Sequence, residues 1–170
     1  MRLFAAIFPS QEELDRIVAL QDALRARTHV PLRWTKSERI HLTLRFFGDD
    51  AEEPRSAAAI EEAVRGVTAC SLDFDGVTGF PNPKRARVVV LESCSPAPGV
   101  LEIGGRLHAG DAKPFRPHIT LARSAHQAVR VHALPFEPIR LQVAEVCLVH
   151  SVLAGAEAGY RILRRWRLKG

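Results

Sequence analysis

Residues 40–46, IHLTLRF, and residues 117–123, PHITLAR, repeat one pattern: His, an apolar residue, Thr, Leu. Each stretch alternates polar and apolar, the period of a strand with one buried face. Alternation places His41 and Thr43 on one face and Leu42 and Leu44 on the other. It likewise places His118 and Thr120 opposite Ile119 and Leu121. One copy stands in each half of the 170-residue chain. Two related strands, each with an apolar back and an imidazole–hydroxyl front, imply two pseudo-symmetric lobes whose polar fronts converge.

The surrounding pattern supplies the elements for such lobes. Residues 2–8, RLFAAIF, read as an opening strand stopped by Pro9-Ser10. Leu14, Ile17, Val18 and Leu24 fall at helical spacing over 11–26, with acids in the first turns, Arg25 and Arg27 at the end, and Ser10 as N-cap. A second helix is expected from Glu52 to Val64, with Pro54 in its first turn. Leu72, Phe74 and Phe80 mark a strand region, and ARVVVL, 86–91, is a buried-type strand. A third helix over Val100–Leu107 is weakened by Gly104-Gly105. Residues 139–153 read as one long strand, paired through a turn at Gly155–Gly159 with Tyr160–Leu168. The order β-α-β-α-β-β-α-β-β-β predicts an α+β fold with helices packed outside antiparallel sheets. At this length one domain spanning 1–170 is expected.

Composition narrows the partners. A net charge of +5 and a pI near 9.6 favour an anionic ligand; twenty of the 24 basic residues are Arg, the residue suited to gripping phosphate. The three cysteines, Cys70, Cys94 and Cys147, are widely spaced and form no Cys-x-x-Cys pair, which argues against a disulfide framework or zinc ribbon. The N-terminal apolar run is too short for a signal h-region, and no segment approaches the ~18 apolar residues of a membrane span. A cytoplasmic location is expected.

Two imidazoles and two hydroxyls on converging faces suit displacement at phosphorus. One His takes a proton from the attacking oxygen, while the other protonates the leaving oxygen on the opposite side. The Thr hydroxyls donate to the non-bridging oxygens as charge develops. Neither step needs a metal-bound hydroxide, and no carboxylate or Cys stands at ligand spacing from the pair, so neither metal nor cofactor is expected. His29, His108, His126, His132 and His150 lack repeated context and read as loop, surface or strand residues. Arg45 shares the His41 face by alternation, with a solvated Arg as the plainer reading. Phe47 and Phe115 are stacking candidates, with core packing the plainer reading. Loop 83–87, PKRAR, reads as an RNA-backbone contact or a solvated turn.

With both copies in view, the chain resembles the 2H phosphoesterase superfamily, and within it the RNA 2′,3′-cyclic phosphodiesterases, also called 2′-5′ RNA ligases (ThpR/LigT type). The similarity runs over RLFAAIFP, RIHLTLRFFGD, RARVVVLE, KPFRPHITLAR and SVLAGAEAGYRILRRWRL. It implies a bilobed fold with a central groove. It also implies opening of a 2′,3′-cyclic phosphate at an RNA or oligonucleotide end to a 2′-phosphomonoester, and in some members reversible 2′-5′ joining of RNA ends. By motif, His41 and His118 are the catalytic pair, and Thr43 and Thr120 hold the phosphate. Arg123 matches a family Arg and is expected to bind phosphate, although alternation puts it off the His118 face. His118 is expected to activate water and His41 to protonate the leaving 3′ oxygen. Rival substrates are 2′-5′ oligonucleotides or small cyclic nucleotides; the rival class is a nucleotide- or RNA-binding module without turnover. A monomer is expected.

Overall fold

The computed structural model describes all of residues 1–170. Strand β1 (Leu3–Ile7) is buried along its whole length. Ser10 then caps α1 (Gln11–Arg27) through a capping box with Glu13. The second Glu13 oxygen accepts from the backbone N of Gln142 at 2.8 Å, which docks the helix on strand β8 (Ile139–Val143). The chain continues through a two-residue strand, β2 (Arg33–Trp34), and one 3-10 turn (Ser37–Arg39) into β3 (Leu42–Gly48).

Helix α2 (Glu53–Val64) follows, then β4 (Cys70–Phe74), β5 (Gly76–Phe80) and β6 (Val88–Glu92). Helix α3 (Pro98–Leu107) precedes β7 (His118–Arg123). The doubtful glycine of α3 has a packing reason: a Cβ on Gly104 would fall 1.9 Å from the Phe115 ring. Strands β9 (Glu145–Val152) and β10 (Gly159–Arg167) form the closing hairpin.

The main sheet runs β10-β9-β1-β3-β7-β6-β5, with β2 also pairing β7; β4 and β8 form a second, two-stranded antiparallel sheet. Four strands centre on each motif. The two halves meet at a single pair, Leu42 with Ile119, the apolar residue between His and Thr in each motif. Leu42, Leu44, Ile119 and Leu121 are wholly buried in the core, as the alternation predicts.

Two expectations are corrected. The long strand over 139–153 is two strands interrupted at Ala144, because β8 pairs with β4 whereas β9 pairs with β1. The region over Leu72–Phe80 is likewise two strands in different sheets.

Candidate active site

Antiparallel register at the Leu42–Ile119 pair sets His41 across from Thr120 and Thr43 across from His118. The imidazoles occupy one diagonal of a square and the hydroxyls the other. Diagonal neighbours of this kind are roughly 7–8 Å apart along the backbone, room for a phosphate between two rings. All four residues line one groove of about 750 Å³.

Both histidines are oriented alike. Each Nδ1 lies 2.8 Å from a backbone carbonyl two residues upstream, that of Arg39 for His41 and Arg116 for His118. A carbonyl only accepts, so Nδ1 carries the proton of the neutral ring and Nε2 is the nitrogen left to accept one. Thr43 Oγ1 lies 2.9 Å from His41 Nε2 and donates to it while the ring is neutral. Phe4, Phe8 and Tyr160 surround the His41 ring at centroid distances of 4.9, 5.7 and 5.2 Å. Burial pushes the His41 pKa down to about 4; the bond to Arg39 opposes that shift, and His118 adds to it. His118 stands edge-on to Phe80 at 5.0 Å, and its pKa is lowered by burial, with Arg116 and Arg123 adding to the effect.

Arg123 lines the groove despite its parity, for a structural reason. Strand β6 pairs Val89 with Ala122 and Val90 with Thr120, leaving Leu121 as an extra residue. This one-residue bulge re-aims the end of the strand, so Arg123 comes onto the His118 side. Strand β3 carries the same bulge: β1 pairs Ala5 with Arg45 and Ala6 with Thr43, skipping Leu44. The consequence there is a correction. Arg45 leaves the His41 face, pairs with Asp111 and lies 3.0 Å from His108 Nδ1. Phe46 takes its place in the groove, 44% exposed.

The other candidates lie outside this groove. Phe47 packs partly buried against the core, as does Phe115, which also stacks on His108 at 5.5 Å. Loop 83–87 does not line the groove. His108 is a tie, its Nε2 2.8 Å from the Leu44 carbonyl and its Nδ1 2.8 Å from Asp111. Cys147 is buried, which pushes its thiol up to about 11, far from a ready nucleophile.

The groove is also lined by Arg2, Arg33, Lys36, Arg39 and Arg123, and by no carboxylate. Of these cations only Arg2 is held by an acid, Asp49. A second cavity of about 470 Å³ shares Thr43, Phe46, His118, Thr120 and Arg123 with the groove, but not His41. No group of three or more His, Cys, Asp or Glu side chains is placed to hold a metal ion.

Sequence reasoning missed Phe46, Arg33, Tyr160 and Gln21. Gln21 is 4% exposed in the apolar stripe of α1 between Ile17 and Leu24. Its Nε2 donates to the carbonyls of Thr35 at 3.0 Å and Leu121 at 2.9 Å, clamping the segment after β2 to the bulge in β7. A lone Gln in an otherwise apolar helical stripe is the signal that would have revealed it.

Residues 8–153 match the family described as the 2′-5′ RNA ligase superfamily. An RNA 2′,3′-cyclic phosphodiesterase of Thermus thermophilus is 31% identical over 189 residues, spanning 100% of this chain and 91% of the relative. The enzyme of the same name from Escherichia coli is 29% identical over 178 residues, spanning 98% and 96%. A solved Thermus thermophilus protein superposes with a TM-score of 0.83 at 30% identity, covering 100% of this chain and 99% of the other. Escherichia coli LigT complexed with ATP gives 0.77 at 31% identity, covering 99% and 98%. Matched end to end in sequence and fold, and carrying a duplicated His-x-Thr groove, this chain belongs to the 2′-5′ RNA ligase superfamily.

Proposed function

We propose that the protein is an RNA 2′,3′-cyclic phosphodiesterase that opens cyclic phosphate ends to 2′-phosphomonoesters by two-histidine acid–base catalysis. One observation carries this reading: both Nε2 atoms front a single groove lined by cations and by no carboxylate. The names of the full-length relatives support it.

The cyclic phosphate lies over the square, its non-bridging oxygens accepting from Thr43, Thr120 and Arg123. His118 borders both cavities and His41 only the groove. The ribose therefore sits on the His41 side, and water enters from the second cavity. The water oxygen bonds to phosphorus as its proton passes to His118 Nε2. The P–O3′ bond breaks as His41, entering the step as imidazolium, gives its Nε2 proton to O3′ and is left neutral. An RNA 5′-hydroxyl taking the place of water would form a 2′-5′ linkage by the same transfers. Phe46 offers a ring for the terminal base.

The test is turnover, in EDTA, of an oligonucleotide ending in 2′,3′-cyclic phosphate, with 2′- and 3′-phosphate products resolved. The expected result is 2′-phosphate from the wild type and a loss of about 10²–10⁴ in rate for each of His41→Ala and His118→Ala. Equal rates in wild type and variants would refute the reading.

A further inference from the structure

Arg33 and Arg123 are direct cross-strand partners on β2 and β7. Like charges placed opposite each other in a sheet repel, and their Cβ atoms stand about 5 Å apart. Nothing in the protein relieves this pair. Neither arginine is among the ten ion pairs of the structure. The neighbour of Arg123 on its other side is Val88. Both arginines line the groove, which contains no acid.

The backbones that carry the pair are also tied together. Thr35 N donates to the Leu121 carbonyl at 2.9 Å, and buried Gln21 bonds the carbonyls of both residues. Two like charges on tied, paired strands, facing an acid-free groove, favour anionic groups beside them.

Their position says which anion. Along β7 the order is His118, Thr120, Arg123, so Arg33 lies at the end of the strand away from the reacting atoms. Lys36, three residues on, lines the same wall. A single cyclic phosphate over the square is already served by two hydroxyls, two imidazoles and Arg123. We propose that Arg33, beside Arg123, holds the phosphodiester immediately upstream of the cyclic end. The groove then takes chains of two or more nucleotides in preference to a nucleoside cyclic phosphate. This rests on the catalytic reading above and adds to it a second phosphate subsite.

The experiment compares a dinucleotide ending in 2′,3′-cyclic phosphate with the matching nucleoside 2′,3′-cyclic phosphate, in wild type and Arg33→Gln. Arg33 is exposed, so the variant folds. In the wild type kcat/KM is expected to favour the dinucleotide by about tenfold or more, the worth of one charge-assisted contact. Arg33→Gln removes that preference, costing the dinucleotide about tenfold more in kcat/KM than the nucleoside, and lowers the salt slope for the dinucleotide by about 0.7. Arg33→Lys restores part of it. Equal loss on both substrates, or no wild-type preference, overturns the assignment. Equilibrium binding of the 2′-phosphate-ended dinucleotide and nucleoside is measured alongside. If neither substrate turned over, the catalytic reading would fail, while the binding ratio in wild type and Arg33→Gln would still decide the subsite.

Discussion

Phe46 and Arg123 occupy equivalent positions, each five residues after its histidine and each turned into the groove by a bulge at the Leu after the Thr. The duplicated strands therefore present the same histidine and hydroxyl but end differently, one in an aromatic ring and the other in a guanidinium. The site is symmetric at the proposed proton-transfer groups and asymmetric at the two strand ends.

From this asymmetry, Phe46→Ala is expected to raise KM and leave kcat near the wild-type value. Base–aromatic stacking is worth about 1–3 kcal/mol, so the rise should be roughly five- to 150-fold. Phe46→Tyr keeps the ring and should retain most of the affinity. Steady-state kinetics on a cyclic-phosphate-ended oligonucleotide measures both. A fall in kcat with KM unchanged would mean that the ring acts on the chemistry and not on the base.

Thr43→Val and Thr120→Val remove one donor each with little change of volume. Loss of a donor to developing charge costs about 10²–10³ in kcat, and the serine variants should recover much of it. Thr43→Val has a second effect, because the hydroxyl 2.9 Å from His41 Nε2 is also lost. Its kcat/KM pH profile should move, whereas that of Thr120→Val should not.

The parts of the fold legible in the sequence are those set by short-range forces. Local alternation was enough to put His41, Thr43, His118 and Thr120 on polar faces, and Ser10 with Glu13 was enough to start α1. The bulges were not legible, since Leu44 and Leu121 differ in no way from strand residues and the skip depends on the partner strand. Alternation therefore puts Arg45 on the wrong face, and Arg123 comes into the groove against its parity. Strand β2, two residues long, has no period to read. The break at Ala144 lies in a run without Gly or Pro and arises only because its two sides join different sheets.

Gln21→Leu tests whether the bulge depends on its clamp. The substitution leaves the Thr35 carbonyl without its Gln21 donor, whereas Leu121 keeps Thr35 N. An unsatisfied buried acceptor costs about 1–3 kcal/mol, and the half-buried Thr35 carbonyl should lie at about the lower end, a fall in Tm of a few degrees for a domain of this size. Because Arg123 loses its aim, kcat/KM should fall as well. Adding Arg123→Gln should then cost less in Gln21→Leu than in wild type, a non-additivity that a purely structural Gln21 would not produce.

The low pKa of His41 yields the last prediction. The proposed mechanism needs one proton on the pair, whichever ring holds it in the free enzyme, so kcat/KM should fall below about pH 4, where both rings are charged. It should fall again above the second pKa of the pair, which the lowered His118 keeps under 6.5. The kcat/KM optimum therefore lies on the acid side of 6.5. In kcat, the bound anion favours imidazolium and shifts the profile upward. Stability follows the same groups with a definite sign. Folded His41 binds its proton less readily than the unfolded chain does, so the native state is favoured above pH 6.5 and loses that advantage as pH falls from 6.5 to about 4. The shift corresponds to about 3 kcal/mol. In His41→Gln, denaturant unfolding at pH 7 and pH 4 should differ by that much less than in wild type; an identical pH dependence in the two proteins would show that His41 titrates normally in the fold.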